Sequence, residues 1–422
     1  MASGLKSPAR QPNYQLSTIN YQLSTINMLP TAAYIHIPFC RRRCFYCDFP
    51  VFVVGDRHNG ATSGNIQLYV ERLGKEIAAQ VSYDRPLETI FFGGGTPSLL
   101  TVAQLGQILD WLAAKFGIAS HAEISMEIDP GTFDLAQLQG YLQAGVNRVS
   151  IGVQAFQENL LQLCGRSHTV SDIYHAVELL HQGGVENWSL DLISGLPQQT
   201  IADWVTSLES AIALNPMHIA CYDLVVEVQT PFAKQYQPGN TPLPSDEATA
   251  QMFRLAQQTL TGAGYHHYEI SSYVRNIDYQ CRHNLTYWRN QPYYAFGMGA
   301  ASYLGGYRFT RPRKTQEYYQ WVADGCDWQE VVTSVEDRFL ETFMLGLRLT
   351  QGVSMRSILA EFGVDRLDNL LKCVQRYQQQ GWVEIDSIEH RDRHLRLSDP
   401  EGLLFSNVVL TEIFSQESIV DN

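Results

Sequence analysis

The sequence predicts an α/β fold: a partial (β/α)6 TIM-type barrel followed by a smaller helical, winged-helix-like domain. Two observations lead to it. From residue 33 short apolar, β-rich runs alternate with amphipathic stretches, six times over. Alternation at this spacing implies parallel strands joined by right-handed crossovers. After about residue 310 the rhythm stops, and helix-like segments give way to two short strand-like runs. A doubly wound open sheet is the alternative for the first part.

The strand-like runs are YIHI (34–37), TIFFGGG (89–95), EISMEID (123–129), RVSIGVQ (148–154), WSLDLISG (188–195) and HIACYDLVV (218–226). Helix-like segments lie between and after them, near 65–82, 101–116, 134–144, 170–183, 200–213 and 245–262. Beyond the barrel, 335–350, 354–362 and 366–380 read as helices, and 382–386 and 393–398 as a hairpin. The expected division is a barrel over 28–310 and a C-terminal domain over 311–422 that covers the barrel mouth. Ahead of both, YQLSTIN at 14–20 is repeated at 21–27. Two copies are too few for a solenoid. The leader 1–27 therefore reads as an unanchored, disordered tail, with Met28 as the true start.

Composition bounds the function. A 45% apolar and 17% charged chain of 422 residues can bury a large core. The net charge of −13 argues against a broad phosphate-binding surface, so no nucleic acid partner is expected. The winged-helix-like region agrees: Glu361, Asp365 and Asp368 occupy its helices where a DNA reader would be basic, which favours a structural or docking role. No run of about 18 apolar residues is present, so no membrane span is expected, and no signal-peptide core precedes the barrel. Five of the eight cysteines are scattered, which points to the reducing cytoplasm.

The other three are clustered, at Cys40, Cys44 and Cys47 in CRRRCFYCDF. Clustered thiolates favour zinc or iron–sulfur. A structural zinc needs four ligands, with His36 or His58 available as the fourth. An iron–sulfur cubane held by three cysteines keeps one iron open, and an open position is what chemistry requires. The charge of Arg41, Arg42 and Arg43 would tune such a cluster, or the three simply solvate the loop. Functional residues of parallel barrels collect at strand C-termini. GGGTP (93–97) stands there, with glycines that let a ligand approach and N–H groups that can receive a carboxylate. Glu127, Gln154 and Asp191 are in phase with it, and Arg166 follows the fourth strand, able to pair with a carboxylate bidentately.

YIHIPFCRRRCFYCDF resembles the C-x3-C-x2-C signature of the radical SAM superfamily. The resemblance implies a [4Fe–4S] cluster on Cys40, Cys44 and Cys47, with S-adenosylmethionine on the open iron, cleaved reductively to a 5′-deoxyadenosyl radical. The spacings from Gln154 to Arg166 and to Asp191 are similar to those of the subgroup of oxygen-independent coproporphyrinogen III oxidase and its heme-chaperone relatives. From about residue 33 to the C-terminus the chain follows this subgroup. By that resemblance Tyr34, Tyr46, Gly94, Gly95, Thr96, Glu127, Gln154, Arg166 and Asp191 would contact S-adenosylmethionine.

Two departures separate the chain from the oxidase. Phe49 stands where the oxidase has a fourth cysteine, and the signature begins about 12 residues after Met28, without a long N-terminal arm. Both favour the heme-chaperone branch. HNLTYW (283–288) is similar to that branch's H-N-x-x-Y-W motif, which makes His283 the expected heme ligand, or else a histidine locked in a polar network. FGMGA (296–300) is expected to make a close backbone turn. GYHHYEIS (264–271) resembles another segment of the branch, whose Glu269 either lines the cavity or bonds structurally. Cys281 either ligates heme or is inert. The expected function is therefore binding of heme and its transfer to acceptor proteins, respiratory ones among them, with an electron donor as a further partner. Decarboxylation of coproporphyrinogen III is the enzymatic alternative, and a zinc-stabilised winged-helix regulator the non-enzymatic one.

Overall fold

In this computed structural model the described residues are 29–328, 333–386 and 392–420; the leader, its repeat and Met28 lie outside them. The six expected strands form β1 (Ala32–Ile37), β2 (Leu87–Gly94), β3 (Ile118–Ile128), β4 (Arg148–Gln154), β5 (Trp188–Ser194) and β6 (His218–Asp223). They are parallel and hydrogen-bonded in chain order. Right-handed crossovers between sequential strands place every helix on one face, which is barrel winding. A doubly wound sheet would reverse its strand order, and this one does not. The strands are buried on both faces, as β1 shows with five of six residues inside.

The crossover helices are α1 (Gly64–Ala79), α2 (Val102–Phe116), α3 (Leu135–Gln143), α4 (Val170–Gln182) and α5 (Ile201–Leu214). Three start on capping boxes: Thr101 with Gln104, Thr169 with Asp172, and Thr200 with Asp203. In each, the threonine hydroxyl and the residue three positions on satisfy orphan N–H groups reciprocally, which fixes where the chain turns from the rim into the helix. The helix α6 (Asp246–Gly262) follows β6.

The edges were not anticipated in detail. An antiparallel hairpin, β7 (His266–Glu269) and β8 (Ser272–Val274), continues the sheet beyond β6, with β8 against β6. On the other edge β9 (Tyr294–Phe296) runs parallel to β1. FGMGA follows β9 as a close turn: a Cβ on Gly297 would lie 2.4 Å from the Tyr69 hydroxyl, and one on Gly299 2.3 Å from Pro50 Cγ. The helix α7 (Arg282–Trp288) carries HNLTYW.

A buried ion pair pins this edge. Arg311 Nε donates to Glu76 Oε1 on α1 at 2.7 Å, and both side chains are 2% exposed. Glu76 Oε2 also accepts from Tyr318 Oη (2.7 Å) and from the Gly297 amide (2.9 Å). Tyr318 and Val322, on α8 (Thr315–Ala323), join the barrel core, so by packing this helix goes with the barrel.

A second core gathers Phe339, Phe343, Leu370, Val374, Leu395 and Leu397. It is built from α9 (Val335–Gly346), α10 (Met355–Phe362), α11 (Val364–Gln379) and a three-stranded sheet that includes the expected hairpin, Val383–Ile385 with His394–Leu397. This unit does not cover the barrel mouth as expected. It docks on the β7 edge and on α6 and α7: Arg254 pairs bidentately with Glu401 (2.6 and 2.8 Å), the Ile270 amide donates to the Arg348 carbonyl (2.9 Å), and Arg348 lies 4.2 Å over the Trp288 ring. No helix among the described residues is long and apolar enough to cross a membrane.

Arg311→Ala is expected to cost about 3–5 kcal/mol, because it leaves the Glu76 carboxylate buried without its cation. Urea denaturation measures this. A cost below about 1 kcal/mol would show that the pair does not pin the edge.

Candidate functional site

The cysteine loop leaves β1 and is tied on three sides. Phe39–Cys40 pairs in parallel with Phe52–Val53. The Phe45 amide donates to the Cys164 carbonyl (2.9 Å), and the Phe45 carbonyl accepts from Phe232 (3.0 Å). Arg43 donates to the Cys47 carbonyl (3.1 and 3.3 Å), while Arg42 pairs with Asp56 in solvent and Arg41 bonds the Gly131 carbonyl. So only Arg43 of the three touches the cysteine stretch itself. Cys40, Cys44 and Cys47 carry free thiols and line one cavity of about 400 Å³. Burial pushes the Cys47 thiol up to about 11 and the Cys40 thiol higher still.

The three cysteines and the histidines near them define the donor set at this cavity. Among the described residues no three His, Cys, Asp or Glu side chains converge on one ion position. A zinc would need all its thiolates about 2.3 Å from one centre. The histidines offered as a fourth ligand do not supply one. Nδ1 of His36 is bonded to the Tyr34 hydroxyl and its Nε2 to the Pro50 carbonyl, each at 3.0 Å, and His58 is exposed. His36 is thus engaged on both nitrogens, and three thiols on one cavity supply three corners of a cubane.

Eight of the nine residues expected to contact S-adenosylmethionine line this cavity with the cysteines. Tyr46, Gly94, Gly95 and Thr96 stand beside the loop, and Glu127, Gln154, Arg166 and Asp191 come from later strand ends. The ninth does not. Tyr34 points into a second, inner cavity of about 520 Å³, because its hydroxyl is drawn to His36. The two cavities share Phe49, Gly94, Glu127, Asp191 and Tyr222 as a common wall.

The GGGTP loop works differently from expectation. Its N–H groups are not free for a ligand carboxylate: Gly94 donates to Glu127 Oε2 (3.0 Å), Gly95 to the Ile37 carbonyl (2.8 Å) and Thr96 to the Phe39 carbonyl (2.7 Å). What glycine supplies is space. Gly94 has φ +108, and a Cβ on it would lie 2.4 Å from the His36 ring. One on Gly95 would lie 2.7 Å from the Phe39 carbonyl. The loop can therefore lie flat against the cysteine segment.

Arg166 Nη1 donates to Cys44 Sγ (3.4 Å) and its Nη2 to the Gly152 carbonyl (2.8 Å) and to Asp129. Its Nε is buried with no partner. Gln154 ends β4 at φ +72, a left-handed conformation that costs a non-glycine residue energy and often marks a functional site. Ser150 Oγ donates to Asp191 (3.1 Å). Asp129, Tyr222 and Asp223 also line the cavity and were missed. Asp129 takes both Arg166 and the Thr96 hydroxyl (3.1 Å). Its position just past the end of β3 was the signal that would have found it.

The heme-directed expectations meet a closed arrangement. His283 is fully buried, with Nδ1 bonded to the Thr89 hydroxyl (2.9 Å) and Nε2 to the Tyr287 hydroxyl (2.7 Å). Burial lowers it to about 3, so the ring is neutral. As placed it offers no free nitrogen and lines neither cavity. From the same motif, Asn284 and Tyr287 do line the inner one. The Cys281 thiol faces Glu123 (3.8 Å) and lines neither cavity. Glu269 lies 3.5 Å from Arg348 and lines neither cavity.

Burial, with Asp191 beside it, pushes the Glu127 carboxyl up to about 8. The folded protein thus holds this proton more tightly than the unfolded chain does, and stability falls as pH rises from the ordinary glutamate range through about 8. Glu127→Gln removes that dependence. Relative to the variant, the wild type without ligands is expected to lose stability between about pH 5 and pH 9. Urea unfolding at both ends checks it, and parallel profiles would contradict the assignment.

Residues 34–211 match the model of the radical SAM superfamily, and residues 333–405 match that of the HemN C-terminal domain. The heme chaperone HemW of Synechocystis sp. is 48% identical over 403 residues, covering 92% of this chain and 97% of that protein. Those of Bacillus subtilis (35% over 350 residues, 81% and 89% covered) and Escherichia coli (36% over 344 residues, 79% and 87% covered) are also similar. Among solved structures, coproporphyrinogen III oxidase (HemN) from Escherichia coli superposes with a TM-score of 0.77 at 21% identity, over 96% of this chain and 94% of that one, a likeness of fold. Identity at this level over nearly the whole length of the relatives settles the kinship: the chain belongs to the HemW family of radical SAM proteins.

Proposed function

We propose that this protein binds heme in the cytoplasm and passes it to heme-accepting proteins, respiratory ones among them. It would do so with a [4Fe–4S] cluster on Cys40, Cys44 and Cys47 and S-adenosylmethionine beside the cluster. The observation that carries the reading is the pair of adjoining cavities. Three free thiols ring the outer one, and Tyr34, Phe91, Tyr287 and Tyr293 give the inner one an aromatic lining. The relatives named heme chaperones support the cargo. When bound and reduced by an electron donor, the cluster supplies the electron that cleaves S-adenosylmethionine.

The chain's own residues do the holding. Arg166 places a positive charge at Cys44, where a cluster would be anionic. Glu127 and Asp191 offer acceptors for an ammonium and for ribose hydroxyls, and burial without such partners is costly to them. Phe49 is 54% exposed on the shared wall. It offers a flat apolar face to a macrocycle where the oxidase has a thiol. His283 ligates heme in this reading only once its ring leaves Thr89 and Tyr287.

Anaerobic reconstitution followed by heme titration is expected to give heme bound to the cluster-loaded protein, and transfer of that heme to an apo-hemoprotein. Incubation with coproporphyrinogen III, S-adenosylmethionine and a reductant is expected to give no protoporphyrinogen IX, and its formation would sink the chaperone reading. Thr89→Val cuts one of the two bonds holding His283. It is expected to tighten heme binding about two- to tenfold, the equivalent of one net hydrogen bond. Unchanged affinity in both this variant and His283→Ala removes the ligand role.

A further inference from the structure

Arg148 opens β4, at the opposite end of the strand from Gln154, and lines the inner cavity. Its guanidinium belongs to a residue 2% exposed, yet among the described residues it has no hydrogen bond and no ion pair. A buried guanidinium without a hydrogen-bond partner is costly, so folds seldom keep one idle. The carboxylates whose charge reaches it are engaged elsewhere. Glu123 accepts the Arg282 and His283 amides (3.0 and 3.1 Å), and Asp191 accepts the Ser150 hydroxyl.

A second orphan stands on the same wall. His218 Nε2 lies 2.9 Å from the Tyr268 hydroxyl, while its buried Nδ1 has no partner. With the Tyr268 proton directed to Nε2, Nδ1 carries the imidazole hydrogen and is a donor. The hydroxyls of Ser150 and Ser189, 2.6 Å apart, complete this side of the cavity. With the Ser150 proton on Asp191, Ser189 donates to Ser150 Oγ, so the free donors on this wall are the Arg148 guanidinium and His218 Nδ1. On the same cavity Asp191 accepts the Ser150 hydroxyl, and burial, with Asp191 beside it, raises the Glu127 carboxyl to about 8.

We propose that the end of the inner cavity formed by Arg148, His218, Ser150 and Ser189 is a carboxylate subsite, and that it receives a propionate of the bound porphyrin. The second half of this statement rests on the heme-carrier reading. A planar carboxylate matches the guanidinium fork in a bidentate pair, and His218 Nδ1–H supplies a further donor. One edge of the macrocycle then enters the inner cavity between Tyr34 and Tyr287, and its face remains toward Phe49 on the shared wall. The subsite discriminates against porphyrins whose propionates are esterified or already lost.

The test compares heme with heme dimethyl ester on the cluster-loaded wild-type protein, so no variant has to fold for it to be read. Heme is expected to bind about ten- to a hundredfold tighter, the worth of a hydrogen bond to a charged group. Equal affinities overturn the subsite while leaving heme binding intact. Arg148→Met is expected to bring the two ligands to equal affinity in protein that still folds and loads its cluster. A lowered unfolding midpoint with the preference for heme retained would make Arg148 structural and overturn the assignment. If the wild type binds neither porphyrin, the heme-carrier reading fails and sodium propionate decides the subsite. A higher midpoint in propionate than in chloride of equal ionic strength, absent in Arg148→Met, supports a carboxylate site, and no difference overturns it.

Discussion

The in-register pairing of six parallel strands in chain order is the constraint on which the site depends. Because β1 to β6 are hydrogen-bonded in sequence, all their C-terminal ends reach the same rim. Cys40 just past β1, Gly94 at the end of β2, Glu127 in β3, Gln154 ending β4 and Asp191 in β5 then face one cavity although they span about 150 residues of chain. A one-residue slip in any strand would turn its polar residue to the helix side. The apolar burial that holds the ladder is thus also what positions the chemistry.

Inside that frame the molecule keeps polar groups that its own contacts do not satisfy. Arg166 Nε, Arg148 Nε and His218 Nδ1 are buried without partners, and Glu127 is raised by burial and by Asp191. These groups sit at the two cavities, where ligands would relieve their desolvation. The buried ion pair at the barrel edge is, by contrast, well matched. Glu76 takes Arg311, Tyr318 and the Gly297 amide, and this network fixes β9 and the FGMGA turn against α1.

Much of the fold was legible in residue order. Threonines followed three residues later by Gln or Asp marked three helix starts, and the expected bounds of the six barrel strands lie within a few residues of those observed. The short edge elements were not legible. β9 has three residues and β8 three, too few for a periodic signal, and each exists because a neighbouring strand offers it a ladder. The placement of the C-terminal unit was misjudged for the same reason. Its docking rests on Arg254–Glu401 and Arg348–Trp288, pairs far apart in sequence whose charges carry no label of their partner.

The sequence alone determined the cysteine triad, the order of strands and helices, and the residue types waiting at the strand ends, because these follow from local spacing and period. Tertiary structure decided which atoms were free. It turned Tyr34 toward the inner cavity through His36, closed the GGGTP amides on Glu127 and on the Ile37 and Phe39 carbonyls, and locked the His283 ring between Thr89 and Tyr287. It also left Arg148 without a partner. Those outcomes depend on the distances between side chains brought together from remote parts of the chain. No local pattern encodes them, since a donor is spent or available only once its neighbours are in place.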